Sequence, residues 1–122
     1  MAILETKAAD NNIVHNHIIG DLTISELVDM VIEYNKAPSV STIWDLTEAI
    51  PVEFNPFEMM HGIDQAAPHV RQNPGRRTAW LGTTPLSFGT TRMLLSWSDR
   101  AAPEIEFQAF NDFSEAISWL NE

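Results

Sequence analysis

The stretch Ser41-Thr-Ile-Trp-Asp-Leu-Thr-Glu-Ala-Ile-Pro-Val-Glu-Phe-Asn-Pro-Phe-Glu-Met-Met60 decides the fold class. Residues 42–46 predict a buried strand, and a polar step follows them. Asn55 then predicts a helix start. Asparagine is a favoured N-cap because its side chain accepts a hydrogen bond from a free backbone N–H. Pro56 suits the first helical position, where no N–H is needed, and Glu58 stands three after the cap, as in a capping box. Phe54 and Met59 occupy the two positions of a hydrophobic staple. A strand feeding a capped helix is the unit from which α/β folds are built.

Working outward, the same unit recurs. Upstream, residues 3–8 and 12–19 predict two strands joined by Ala9-Asp10-Asn11 as a hairpin. In the second, Ile13, His15, His17 and Ile19 share one face, and Val14, Asn16 and Ile18 share the other. Gly20-Asp21 turns the chain into a helix with Thr23 and Glu26 as its capping box and Leu22 and Leu27 as its staple. Ala37-Pro38-Ser39 ends that helix. Downstream, residues 71–76 read as a surface loop and residues 77–82 as a strand. Thr84 caps a helix that opens on Pro85 and runs to about residue 99. Residues 104–110 alternate cleanly, with Ile105, Phe107 and Ala109 set against Glu104, Glu106 and Gln108, so this strand is expected at a sheet edge with one face toward water. Asp112, with Glu115 three later, caps a last helix.

The order is ββαβαβαβα, and each strand–helix pair after the hairpin should add a parallel strand by a right-handed crossover. With 122 residues, 44% of them hydrophobic, the chain is expected to be a single domain over 1–122 with its own core. No apolar run approaches the ~20 residues that cross a bilayer, and the first residues lack the basic start and apolar centre of a signal peptide, so a cytoplasmic location is expected. The absence of cysteine excludes disulfides, zinc–thiolate sites and a cysteine nucleophile. A net charge of −10 opposes nucleic acid and anionic membrane surfaces. The charge is uneven: Arg71, Arg76, Arg77, Arg92 and Arg100 give residues 71–100 a charge of +4, with Asp99 the only acid there. Such asymmetry suits either an anionic ligand or complementary subunit contacts, or merely solvates two loops.

The order of elements and three phrases resemble the SpoIIAA-like branch of the STAS superfamily. The phrases are Ile43-Trp-Asp-Leu-Thr47, Gly20-Asp-Leu-Thr23 and Phe113-Ser-Glu-Ala-Ile-Ser-Trp-Leu120. The resemblance covers nearly the whole chain. It implies a βα superhelix with a mostly parallel five-stranded sheet in sequential order, and a non-enzymatic role as a partner-binding module. Through similarity to CRAL-TRIO domains it also implies an apolar or lipid-like ligand for some members. The antagonist proteins of that group carry an Asp-Ser phospho-acceptor at the helix after the central strand. Here that place reads Phe54-Asn-Pro-Phe57, without a hydroxyl, and Thr47 lies far upstream. The scaffold is expected without the phosphoserine switch.

Candidate chemistry is sparse. His15 and His17 point the same way on one strand, but two ligands without a third are not a metal site; His61 and His69 lie eight apart on one helix. No metal and no cofactor are expected. Asp45, Thr47, Gly82, Thr83 and Thr84 fall at the carboxyl ends of neighbouring strands, where open α/β sheets place ligands. Gly82 would let a backbone approach a ligand, and the helix start at Thr84 could hold an anion; otherwise Asp45 and Thr47 satisfy turn backbone. The Gly-Lys-Ser/Thr ending of a P-loop is missing, and no serine or threonine has a base set beside it, so no catalytic residue is assigned. The apolar inventory says more. Phe57 and Met60 on the second helix, and Phe88, Met93, Leu94 and Trp97 on the third, exceed one ordinary stripe. They are expected to form a homodimer or protein-partner surface, or to line a pocket for a small apolar ligand, unless they are ordinary core.

Overall fold

The structure, a computed structural model, describes residues 2–10, 12–34, 41–70, 77–103 and 105–122. The elements are β1 (Ile3–Asp10), β2 (Ile13–Thr23), α1 (Ile24–Tyr34), β3 (Ser41–Val52), α2 (Pro56–Val70), β4 (Arg77–Leu81), α3 (Pro85–Ala101), β5 (Glu106–Phe110) and α4 (Phe113–Leu120). Sheet order follows chain order, β1-β2-β3-β4-β5. β1 pairs antiparallel with β2, and the three later pairings are parallel. The sheet is therefore mixed rather than mostly parallel, because a hairpin can only add its strand antiparallel. β5 lies at an edge, as its alternation requires. The predicted breaks at 37–39 and 71–76, Asn11 of the hairpin turn and Glu104 fall outside the described residues.

Local signals act where they were read. Thr23 and Glu26 form a reciprocal capping box, with Glu26 N donating to Thr23 Oγ1 at 3.1 Å and Thr23 N to Glu26 Oε1 at 3.0 Å. Glu58 N donates to Asn55 Oδ1 at 2.9 Å. Thr84 caps α3 with Ser87 as its partner, and Asp112 Oδ1 accepts from Glu115 N. Three strands run further than predicted. β1 continues through Ala9 and Asp10, which were expected in the hairpin turn. β2 does not turn at Gly20 but continues to Thr23, taking a positive φ of 95° at Gly20 that glycine alone adopts without penalty. β3 continues from Leu46 to Val52 through a bulge.

That bulge explains the polar step. His17 pairs with Asp45 but Ile19 pairs with Glu48, so β3 carries one extra residue there. Before it, Thr42, Trp44 and Leu46 face one side of the sheet; after it, the same side receives Ala49. The alternation flips, so the run no longer reads as one strand.

Each sheet face has its own core. On one side Trp44, Leu46, Trp80 and Ile18 pack against Leu27, Val28 and Val31 of α1, Met59 and Ala66 of α2, and Leu94 of α3. On the other, Ile13, Ile43, Ala79 and Leu81 meet Ala116 and Leu120 of α4. Three helices thus cover one face and one short helix covers the other. α4 leaves part of its face open, and the two histidines stand there.

Candidate functional site

A chain of polar contacts runs along the carboxyl ends of the central strands. His15 Nε2 lies 2.8 Å from Asp45 Oδ2. Thr47 N donates to Asp45 Oδ1 at 2.9 Å, and Thr83 N and Oγ1 both reach Thr47 Oγ1, at 3.2 and 3.3 Å. Burial opposes ionisation of Asp45, yet hydrogen bonds from His15 and from the side chain and backbone of Thr47 outweigh it and hold the carboxyl below its ordinary value. Beside this, His17 Nε2 pairs with Glu48 Oε2 at 2.7 Å, with Glu5 4.0 Å from its other nitrogen. The two imidazoles stack with centroids 5.7 Å apart, and His15 also meets the Phe113 ring.

Sequence reasoning found Asp45, Thr47 and Thr83 but placed no carboxylate beside the histidines. The missing signal was register. Parallel pairing sets His15 opposite Ile43 and His17 opposite Asp45, and the extra residue of the bulge brings Glu48 round to the histidine side. Each imidazole nitrogen facing a carboxylate is occupied by it, and among the described residues no group of three or more such side chains is arranged for a metal ion.

Nor does the arrangement make a nucleophile. In a hydroxyl–imidazole–carboxylate triad the base touches the hydroxyl; here the contacts of Thr47 run to Asp45 and Thr83. The cluster ties β2, β3 and the turn into α3 together.

At the α3 start Thr84 N donates to Ser87 Oγ and Ser87 N to Thr84 Oγ1, so the capping box takes these two donors. Gly82 does permit a close backbone approach, but the backbone that approaches is the first turn of α3. A Cβ built on Gly82 would lie 2.4 Å from the carbonyl carbon of Ser87. The reason for the glycine is packing of the chain on itself.

The apolar candidates divide. Leu94 is buried in the three-helix core, and Phe88 lies on the opposite flank of α3, under the Arg92 guanidinium. Phe57 and Met60 of α2 are 70% and 39% exposed, Met93 of α3 is 40% exposed, and Leu86, not among the sequence candidates, is 70% exposed. At 100° per residue Leu86, Met93, Trp97 and Arg100 fall on one stripe of α3. Between the helices lies a groove lined by Met60, Ile63, Asp64, Trp97 and Arg100, of about 130 Å³. The Arg100 guanidinium carbon lies over the Trp97 ring, 5.2 Å from its centroid, a cation–π contact. Under the groove, between the helices and the sheet, is an apolar cavity of about 50 Å³ walled by Trp44, Met59, Trp80, Leu94 and Phe107 among others. The buried Trp80 Nε1 has no hydrogen-bond partner among the described residues.

Sheet order, the lone antiparallel hairpin and the three-to-one division of helices define an α/β module of SpoIIAA-like fold. The chain is similar to the crystal structure of an uncharacterized protein of the DUF3478 family with a SpoIIAA-like fold from Shewanella loihica PV-4. The two are 20% identical, the match covers 98% of this chain and 93% of that one, and the TM-score is 0.59. No protein-family model and no curated protein matches the sequence.

Proposed function

We propose that this chain is a non-catalytic interaction module of STAS-like type that docks a protein partner on the face formed by α2 and α3, without a phosphoserine switch. The observation that carries this reading is the run of large apolar side chains left in water there: Phe57, Met60, Leu86 and Met93, flanking Trp97. Several large apolar side chains exposed on two neighbouring helices favour contact with another protein, since covering them removes them from water. The chemistry at the strand ends points the same way, because its groups are paired with each other and set no nucleophile against a base. A carrier of an apolar ligand is less well supported. Its site would be the interior cavity, and about 50 Å³ is far below the ~300–1,000 Å³ of small-molecule pockets.

Site-specific photo-crosslinking in cells tests the reading. A photoreactive side chain at position 57 or 93 should give discrete crosslinked species, and one at Gln108, an exposed position on β5 away from the groove, should give none. Equal labelling at all three positions, or none at 57 and 93, would overturn it.

A further inference from the structure

We propose that the partner on the α2–α3 face is a second copy of this chain, related by a two-fold axis running along the groove, with Asp64 of each copy paired to Arg100 of the other. This rests on the docking reading and adds the identity of the occupant. α2 and α3 each connect successive parallel strands, so they run in the same direction along the groove. Asp64 projects from α2 and Arg100 from α3, both at its rim, with Met60, Ile63 and Trp97 beside them. A two-fold axis parallel to the helices lays α2 of one copy over α3 of the other. Groups facing each other across the groove then exchange partners: Asp64 meets Arg100 of the second copy, and Arg100 meets its Asp64. An isologous contact requires this self-complementarity. By the same operation, at a rise of about 1.5 Å per residue, Met60 comes level with Trp97 and Phe57 level with Met93, twice over.

Charge argues for the same occupant. Two copies carrying −10 each repel, so a locally balanced face favours their association over one that adds further like charge. This groove carries one acid and one base among its lining groups, and on the two-fold each neutralises the other's counterpart. The cation–π contact of Arg100 with Trp97 uses none of the guanidinium N–H groups as hydrogen bonds, which leaves them for a carboxylate.

The experiment is sedimentation velocity of the purified chain over a wide concentration range. Wild type should form a reversible dimer. Asp64→Arg alone sets two cations against two cations, and Arg100→Asp alone sets two acids against two acids. Each should weaken self-association at least about tenfold, which is about 1.4 kcal/mol. An equimolar mixture of the two variants should regain wild-type affinity as a heterodimer, because one copy then brings only cations and the other only acids. Both side chains are exposed, so circular dichroism should show both variants folded. A wild type that stays monomeric, a dimer indifferent to either reversal, or a mixture that gains nothing would overturn the proposal. Crosslinks at position 57 of a mass other than twice the chain would then still support docking of a different protein, whereas their absence would remove both readings.

Discussion

The three glycines at helical or helix-facing positions should respond to one substitution in opposite ways. Gly89 lies exposed on α3, and a Cβ there meets nothing within 4 Å. Gly89→Ala should therefore add the full helix-propensity gain of about 1 kcal/mol. In Gly62 of α2 the same gain is opposed by contacts at 2.5 Å to Ile24 Cγ2 and 2.9 Å to Val28 Cγ2. Those atoms belong to α1 side chains that can rotate or shift, so Gly62→Ala should cost about 1–2 kcal/mol net, within the usual range for overpacking. Gly82 has no such relief. Its Cβ would stand 2.4, 2.5 and 2.7 Å from backbone atoms of Ser87 and Phe88, and relief requires the first turn of α3 to lift off β4. Gly82→Ala should cost about 3 kcal/mol, the top of that range. For a chain of this length 1 kcal/mol corresponds to about 4 °C in Tm. The expected series is thus a rise of about 4 °C, a fall of about 4–8 °C and a fall of about 12 °C, read by thermal unfolding followed by circular dichroism. If Gly82→Ala unfolded no earlier than Gly62→Ala, the close seating of α3 on the strand end would be wrong.

Other outcomes follow from the same geometry. Asp45 titrates below its ordinary value in the fold, so its contribution is present above about pH 4 and is lost as pH falls through the lower folded value. Asp45→Asn should cost about 1–3 kcal/mol near neutrality, and its Tm should converge on that of wild type in acid; a constant gap at all pH values would mean that the charge of Asp45 is immaterial. Phe107→Ala should be a core defect of about 3 kcal/mol, the lower end for such a truncation because Phe107 is half-buried; a cost near zero by urea unfolding would place the inward face of β5 wrongly. Trp97→Ala should weaken association more than it destabilises the monomer, since it removes the platform of Arg100 at a cost of roughly 2 kcal/mol, half that of a full core aromatic. A stability loss with association unchanged, by denaturant titration and sedimentation together, would make Trp97 a core residue only.

Much of the fold was legible because its signals are local. Asn55 with Pro56, Thr23 with Glu26, and Thr84 before Pro85 mark helix starts through backbone chemistry that tertiary context does not override. What escaped depended on contacts between strands. The end of β3 was misplaced because the bulge reverses its inside–outside pattern at Thr47 and Glu48. The carboxylates beside His15 and His17 were invisible for a related reason, since only pairing register says which residue of β3 stands across from which residue of β2. Leu94 was grouped with Met93 as lining a partner surface or an apolar pocket, yet one step of 100° puts Leu94 in the buried core beside the cavity and Met93 in solvent.

The bulge in β3 also constrains how the chain can change. A single deletion at the bulge itself would leave Leu46 and Ala49 on the three-helix face and Glu48 on the histidine face, because the residue removed is the extra one. A single deletion or insertion in the regular pairing on either side would instead turn every residue beyond it to the wrong face. Changes of two residues there keep the parity. Length variation in this strand should therefore come in even steps everywhere except at the bulge, where one residue can be lost without moving any side chain to another layer.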